Sequence, residues 1–308
     1  MKKILLKKCE VCGSKSIKLF QKYGRVGSNY NYDRLKIFIC LECNHRFQNP
    51  RYPNQFFIDY YLKNYRKKKH NNILIDEKYL KSQEKRGIEV FKFIKDFIKK
   101  KEGKKRILDH GSALGHVMIK FKENGWNCLG IDPNIESINS KHKIKNIQID
   151  NYFGENLPKY EKPFDLILSL GSLEHAYDIS STLKNIKKNL SFDGIFFIRW
   201  RSEDLMGSPL EYFNFNHLRY FSIKSLKKIL FKNGFEILKE TKKPIEFCGG
   251  YTYFVCKRSR IKKNFNNVCS VTKNTKEFLE NYYSYLSSYY NTCVQIKNLN
   301  LHKKTKNY

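Results

Sequence analysis

Apolar runs and helical patterns alternate through the middle of the chain. Between Gln83 and Lys101 the apolar residues recur at the three- and four-residue intervals of an amphipathic helix. The apolar runs that follow are RILDH, WNCLGID, IQID, FDLILSL, GIFFIRW, FEILKE and TYFVCK. Near-continuous apolar runs are typical of parallel strands that helices cover on both faces. The pattern therefore predicts an α/β fold with a doubly wound, Rossmann-like sheet.

The flanking segments differ from this central pattern. Residues 1–55 combine cysteines with aromatic and β-branched residues, which predicts a small module of short strands. Residues 56–82 begin with aromatics at helical spacing and continue into a basic run, so we expect a helical linker there. The main domain is expected over 83–260. A last helical pattern predicts a C-terminal helical extension over 261–308.

The composition narrows the class of protein. An apolar fraction of 41% over 308 residues is enough to bury a core, which argues against intrinsic disorder. No apolar stretch reaches the roughly 18 residues of a membrane-spanning helix, and the start MKKILLKK has too short an apolar core for a signal peptide. We therefore expect a cytoplasmic protein. The net charge of +31 is compatible with nucleic-acid binding, but the lysines are spread along the chain, which favours a solvated surface.

Four of the nine cysteines form two CxxC pairs, Cys9 with Cys12 and Cys40 with Cys43. Each pair can bring two thiolates onto one ion, and two pairs complete the tetrahedral shell that Zn²⁺ prefers. The spacing therefore predicts a zinc ribbon-like module with a structural zinc ion. His45 is a nitrogen donor close to the second pair, and we expect it to support the site rather than to replace a thiolate.

A strand, a small-residue turn and an acid follow one another at the start of the main domain. The segment RILDHGSALG ends at Gly115 and leads into a helical pattern, and small residues let a backbone approach a ligand closely. The next strand ends at Asp132, twenty-three residues after Asp109, where a carboxylate can bind the two hydroxyls of a ribose. These residues predict a site for an adenosine-containing cofactor.

The same segment resembles the class I S-adenosylmethionine-dependent methyltransferases, whose first motif has the form LDxGxGxG. The matching residues are Leu108, Asp109, Gly111, Ala113 and Gly115, with alanine in place of the middle glycine. Residues 164–175 and 216–235 resemble the fourth-strand motif and the segment after the fifth strand of that family. The resemblance covers residues 85–257 and implies an enzyme that transfers a methyl group from S-adenosylmethionine.

The resemblance also implies roles for individual residues. Asp132 would hold the ribose, the turn from Gly111 to Gly115 would surround the methionine part, and Phe153 would stack on the adenine. The expected cofactor-binding residues are Asp109, Gly111, Ser112, Gly115, Asp132, Phe153 and Leu170. A nicotinamide dehydrogenase uses a similar strand, turn and acid, but this chain lacks the GxGxxG pattern of that class.

Two histidines are candidate catalytic bases. Methyl transfer requires alignment and an unprotonated acceptor atom, and histidine titrates near neutral pH. His175, with Glu174 beside it, and His217 both follow predicted strands, where an open α/β sheet has its binding crevice. The alternative for Glu174 and His175 is a helix-start element that orders the loop.

The cysteine module, NHLRYFS and FCGGYTYFV together resemble the sugar C-methyltransferases, which act on nucleotide-linked keto sugars. Those enzymes typically show YHEH and HGG where this chain has Asn214, Phe215, Asn216 and His217, and then Cys248, Gly249 and Gly250. C-, O- and N-methylation of a sugar or a related metabolite therefore stay open. The leading hypothesis is an enzyme that methylates a small acceptor, such as a nucleotide-linked sugar in surface polysaccharide synthesis.

Two other functions remain in view. A zinc module and a basic surface also suit an RNA methyltransferase, although Leu170, Gly171 and Ser172 stand where an Asn-Pro-Pro-Tyr-like motif would be expected. The third hypothesis is a non-catalytic protein with a cofactor-binding fold, whose zinc module binds a partner. Binding of S-adenosylmethionine would separate both enzymes from this third hypothesis.

Overall fold

The computed structural model describes residues 2–21, 35–63, 65, 76–99, 102–134, 139–201, 215–240 and 251–259. By its backbone contacts, the chain divides into two compact units, Met1–Asn267 and Val268–Tyr308. The predicted helical extension over 261–308 lies outside the described residues, as do Asn214 and the segment Cys248–Gly250.

The described strands and helices follow one another in a regular order. The strands are β1 (Ile17–Gln21), β2 (Ile37–Cys40), β3 (Arg46–Gln48), β4 (Arg106–His110), β5 (Asn127–Ile131), β6 (Gln148–Asp150), β7 (Phe164–Leu170), β8 (Leu190–Arg201), β9 (Arg219–Tyr220), β10 (Phe235–Glu240) and β11 (Tyr251–Arg258). The helices are α1 (Asn54–Lys63), α2 (Glu77–Ile94), α3 (Ile119–Glu123), α4 (Ile179–Asn189) and α5 (Ile223–Lys232). Among them, none is both long and apolar enough to cross a membrane.

Seven strands form the main sheet in the order β10-β11-β8-β7-β4-β5-β6. The strands from β8 to β6 along this order are parallel, whereas β11 pairs antiparallel with β8 and with β10. The Rossmann-like prediction is confirmed. Of the apolar runs, TYFVCK departs from the expectation of parallel strands: β11 is antiparallel to both of its neighbours, so β10 again runs in the same direction as β8.

Both faces of the main sheet are buried, since successive strand residues point to opposite sides. Leu108, Ile167 and Phe196 belong to one hydrophobic core, which includes residues of α4 and α5. Their neighbours Ile107 and Leu166 belong to a second core, which includes residues of α2. The near-continuous apolar runs of the sequence follow from this two-sided burial.

Helix α2 covers a different range from the predicted one. The apolar period predicted a helix from Gln83 to Lys101, but α2 begins at Glu77 because the Asp76 side chain accepts a hydrogen bond from the Tyr79 N–H at 2.7 Å. The helix ends at Ile94, and a 3₁₀ turn follows over Lys95–Phe97. The N-terminal capping residue, rather than the first apolar residue, determines where the helix starts.

A second, four-stranded antiparallel sheet has the order β1-β2-β3-β9. Its first three strands belong to the N-terminal cysteine segment, and its fourth strand comes from the region between β8 and α5. In the pairing of β3 with β9, Arg46 is opposite Tyr220 and Phe47 is opposite Arg219. The strand β9, which follows His217 closely in the chain, therefore links the small sheet to the part of the chain that forms the main sheet.

We predict that Gly87→Ala destabilises the protein, although alanine is the better helix former. A β-carbon at Gly87 of α2 would lie 2.2 Å from the Val117 carbonyl oxygen. The overpacking should lower the free energy of unfolding by about 1–3 kcal/mol, measured by urea denaturation. Lys85→Ala on the exposed side of the same helix is the control, and equal stability of the two variants would contradict the prediction.

Candidate active site

The turn after β4 is held against the end of β5. The backbone N–H groups of Gly111 and Ser112 donate to the Ile131 carbonyl at 2.9 and 3.0 Å. Gly111 and Gly115 have φ values of +81° and +83°, which glycine adopts at little cost. Ala113 also has a positive φ, +50°, at the position where the resembling family has its middle glycine. The alanine departs from the motif but keeps a left-handed backbone conformation.

Asp132 lies directly beside this turn. Its carboxylate accepts hydrogen bonds from the Ala113 N–H at 2.9 Å and from the Asn134 N–H at 2.8 Å. Asp132 is 7% exposed and lines a cleft together with Gly111 and Ala113. Each carboxylate oxygen can accept more than one hydrogen bond, so the acid can also bind two ligand hydroxyls. The structure thus places the predicted turn and the predicted ribose-binding acid on one surface.

Glycines allow the close packing behind the cleft. A β-carbon at Gly130 would lie 2.3 Å from the Ser112 hydroxyl oxygen, and one at Gly111 would lie 2.7 Å from the Ser172 β-carbon. Ser112 is buried and packs behind the turn rather than lining the cleft. The turn can therefore approach a ligand with its backbone because larger residues are absent at these two positions.

The cleft contains about 650 Å³ of empty space, part of which opens to solvent. Tyr61, Tyr65, Tyr152 and Phe153 contribute aromatic side chains to its lining. The rings of Tyr61 and Phe153 meet edge to face, with their centroids 6.2 Å apart. Such surfaces suit a planar purine ring. Tyr61 is supplied by α1, and the sequence analysis missed it because aromatics at helical spacing equally indicate a packing helix.

Four predicted cofactor-binding residues lie outside the lining. They are Asp109, Ser112, Gly115 and Leu170. Gly115 begins a 3₁₀ turn over His116–Met118, and half-buried Leu170 packs against the second core. Asp109 is 3% exposed, and burial together with the nearby Asp132 carboxylate raises its pKa to about 7. These residues shape the cleft from behind.

His110 lines the cleft and was missed by the sequence analysis. Its Nδ1 lies 2.9 Å from the Ser172 hydroxyl oxygen, and that hydroxyl donates to the His110 carbonyl at 2.6 Å. Burial, together with the nearby His175, lowers the pKa of His110 to about 4, so the ring is neutral at neutral pH. The residue occupies a variable position of the first motif, which gives no local signal for a role.

The three predicted catalytic residues lie together. The ring centroids of His175 and His217 are 4.6 Å apart. The ligand atoms of Glu174, His175 and His217 all lie within 4.8 Å of one another. Glu174 is 9% exposed, and its Oε2 atom has no hydrogen-bond partner among the described residues. The structure therefore brings the two histidines and one buried carboxylate to the edge of the cleft, which His175 lines.

Two hydrogen-bond partners hold the ring of His175 in one orientation. Its Nδ1 lies 2.9 Å from the Asn216 carbonyl oxygen and 2.9 Å from the Tyr61 hydroxyl oxygen. Because a carbonyl oxygen can only accept, Nδ1 carries a proton in this arrangement. Burial raises the pKa of Tyr61 well above 10, so its phenol stays protonated and donates to the same carbonyl at 3.3 Å.

Residues of the second sheet hold the loop of His217. The Gln48 side-chain amide donates to the carbonyls of Phe215 and His217 at 2.6 and 2.7 Å. The Leu218 N–H donates to the Glu174 carbonyl at 3.0 Å. The N-terminal strand β3 therefore fixes the backbone on both sides of Asn216, whose carbonyl orients His175.

The four predicted cysteines are close enough to share one ion. The Sγ atoms of Cys9 and Cys43 are 3.6 Å apart, and those of Cys12 and Cys40 are 3.5 Å apart. All four Sγ atoms lie within 4.8 Å of one another. Tetrahedral zinc with bonds of about 2.3 Å separates its sulfur ligands by about 3.8 Å. The cluster fits a structural zinc ion, and buried His45 contacts Glu10 instead, with Nε2 3.2 Å from Oε1.

The chain is similar in sequence to known methyltransferases. A family model described as a methyltransferase domain matches residues 82–240. The chain is 32% identical over 169 residues to the tRNA U34 carboxymethyltransferase of Campylobacter fetus, a match over 51% of this chain and 57% of that protein. A tRNA U34 carboxymethyltransferase of Campylobacter jejuni is 32% identical over 115 residues, covering 35% and 39%. The chain thus spans about half the length of these curated relatives, or less.

Among solved structures, the chain is similar to an S-adenosylmethionine-dependent methyltransferase from Clostridium acetobutylicum. The sequences are 14% identical and the TM-score is 0.44. The similarity covers 58% of this chain and 92% of that one.

We predict that Asp109→Asn stabilises the protein relative to the parent more strongly at pH 8 than at pH 5. The folded state favours the protonated Asp109 because its pKa is raised from 3.8 to about 7. The contribution of the protonated Asp109 to the free energy of unfolding of the parent is fully present below pH 3.8 and is lost as the pH rises through about 7. An asparagine does not ionise and avoids the loss.

The free energy of unfolding from urea titrations at both pH values tests this prediction. Asp96→Asn, at an exposed carboxylate outside the core, is the control for replacing an aspartate by asparagine. A pH-independent difference for Asp109→Asn would show that the carboxyl ionises normally.

Proposed function

Because the chain belongs to the family of methyltransferase domains, we propose that it transfers a methyl group from S-adenosylmethionine to a small acceptor, with His217 as the base. A nucleotide-linked sugar in surface polysaccharide synthesis is the acceptor class that we favour. The observation that carries the proposal is that Asp132 and His175 line the same cleft, while the ring centroids of His175 and His217 are 4.6 Å apart.

The residues present fit the cofactor. Asp132 would bind the ribose hydroxyls, and the backbone of Gly111 to Ala113 would contact the methionine part, where a β-carbon on Gly111 would disturb the packing. Tyr61 and Phe153 would enclose the adenine. When bound, S-adenosylmethionine supplies a methyl group on a positively charged sulfur, ready for attack by a nucleophile.

The acceptor-side residues can hold and move a proton. In our proposal His217 takes the proton of the acceptor, while His175 keeps its Nδ1 proton on the Asn216 carbonyl. The Glu174 carboxylate lies within 4.8 Å of ligand atoms of both rings and favours the imidazolium that forms.

The charges of the cleft favour transfer of an uncharged methyl group. The described lining includes the carboxylates of Asp132 and Glu155 and contains neither lysine nor arginine. A donor with a carboxylated methyl group would add a negative charge there without a cation among these residues. The net charge of +31 over the whole chain would attract anionic acceptors of either class, a nucleotide-linked sugar or an RNA.

We predict that Asp132→Ala abolishes binding of S-adenosylhomocysteine, whereas His217→Ala retains binding and slows turnover by about 10²–10⁴-fold. Isothermal titration calorimetry measures the first effect. Transfer of tritiated methyl groups to a panel of nucleotide-linked keto sugars measures the second effect. Asp150→Asn, at the end of the neighbouring strand β6 and outside the cleft lining, is the matched control. Turnover of His217→Ala at the parent rate would exclude that histidine as the base.

RNA is the second candidate acceptor, because the curated relatives are named for tRNA U34 and the chain is strongly basic. If the acceptor is a sugar nucleotide, raising the salt from 50 to 200 mM should lower its affinity less than about tenfold. An RNA acceptor with 6–10 phosphate contacts would lose about 10³–10⁵-fold. Filter binding of bulk tRNA and calorimetry with sugar nucleotides, at both salt concentrations, distinguish the two.

A further inference from the structure

Glu10, whose side chain is largely shielded from solvent, lies between the two cysteines of the first CxxC pair in the sequence. The Glu10 carboxylate is contacted by Arg219, whose Nε and Nη2 donate at 3.1 and 2.9 Å. Arg51 Nη1 donates to the same carboxylate at 3.2 Å. The Arg219 side chain is fully buried, and that of Glu10 is 13% exposed. The cysteine knuckle is thus joined by an ion pair to a residue 209 positions away in the chain.

The same guanidinium also contacts the turn that carries Glu174 and His175. Its Nη1 donates to the carbonyls of Leu173, at 3.4 Å, and Ala176. Its Nη2 donates to the Tyr177 carbonyl at 3.2 Å. These carbonyls lie immediately before and after the two acceptor-side residues. Arg219 itself follows His217 by two positions, so one side chain touches the backbone near both histidines.

We propose that Arg219 is a positioning residue, which ties the geometry of His175 and His217 to the folded state of the cysteine module. The proposal rests on the proposed function, in which these histidines act on the acceptor. The metal-binding knuckle would then support methyl transfer from a distance, through Glu10 and Arg219, without contacting cofactor or acceptor.

The chemistry of the side chain supports this assignment. Arginine presents five donors in a planar fork, and here the fork serves a carboxylate and three carbonyls at once. A lysine ammonium is a point charge and cannot span these acceptors. The strand that carries Arg219 is short, since β9 has two residues and pairs with β3 at two positions. The Arg219 side chain therefore adds to the support that Gln48 gives to the same loop.

The cofactor side does not depend on these contacts. The backbone N–H groups of Gly111, Ser112 and Ala113 donate to Ile131 and Asp132 at the end of β5, within the main sheet. Loss of the Glu10–Arg219 contact should therefore loosen the acceptor side while the cofactor side stays intact.

Hydrogen–deuterium exchange of the full-length protein tests the proposal. In Arg219→Lys and in Glu10→Gln, amides of residues 172–178 and 215–221 should exchange at least tenfold faster, while those of 107–116 should change less than twofold. The effect of the double variant should be smaller than the sum of the two single effects, because both substitutions remove the shared Glu10–Arg219 contact. Arg106→Lys is the control, since that guanidinium donates to the carbonyls of Lys162 and Pro163 at the opposite end of β4.

Histidine NMR signals provide a readout that a purely structural effect elsewhere would not move. The ring signals of His175 and His217 should shift in Arg219→Lys, whereas those of His116, which contacts Glu84 in the main domain, should not. Unchanged exchange in both acceptor-side segments, or equal acceleration in 107–116, would overturn the proposal.

Chelation keeps the test informative if the variants fold poorly. Removing metal from the parent protein with 1,10-phenanthroline should accelerate exchange in 172–178 and 215–221 and leave 107–116 protected. Full protection of the acceptor-side segments after metal removal would contradict the proposal. Binding of S-adenosylhomocysteine, measured separately, tests the proposed function: its absence in the parent would refute that function, whatever the exchange results.

Discussion

The hydrogen bond from the Ala113 N–H to the Asp132 carboxylate joins the ends of two neighbouring parallel strands. It requires a left-handed backbone at Ala113 and a turn packed closely enough that Gly111 and Gly130 have no room for a β-carbon. The same contact fixes the carboxylate in the cleft, where its remaining acceptor capacity faces a ligand. The cofactor half of the site follows from this constraint, which lies entirely within the main sheet.

The acceptor half is assembled from both sheets. Gln48 of β3 holds the carbonyls on either side of Asn216, and the Asn216 carbonyl orients His175. Arg219 links the same region to Glu10 in the cysteine knuckle. The turn after β4 and the two histidines are thus held by largely different contacts, while Tyr61 lines the cleft and also contacts His175.

The doubly wound sheet and the cofactor turn could be predicted because both leave local patterns: apolar runs for buried strands, and small residues between two strand-end acids. The cysteine cluster was predictable from spacing alone. Tyr61 and His110 were not, since an aromatic in a helix and a variable motif position give no local signal. The contact of Glu10 with Arg219 spans 209 positions, and only the tertiary fold brings these residues together. The antiparallel pairing of β10 and β11 likewise depends on chain direction, which apolar runs do not encode.

A crystal structure of the protein with S-adenosylhomocysteine tests the central claim most directly. We expect the ribose hydroxyls to lie within about 2.6–3.2 Å of the Asp132 carboxylate oxygens. The amino-acid part of the ligand should contact the backbone of Gly111 to Ala113, and its sulfur should lie on the side of the cleft that His175 lines. An adenosyl group bound outside this cleft, or a ribose that makes no hydrogen bond to the Asp132 carboxylate, would contradict the claim.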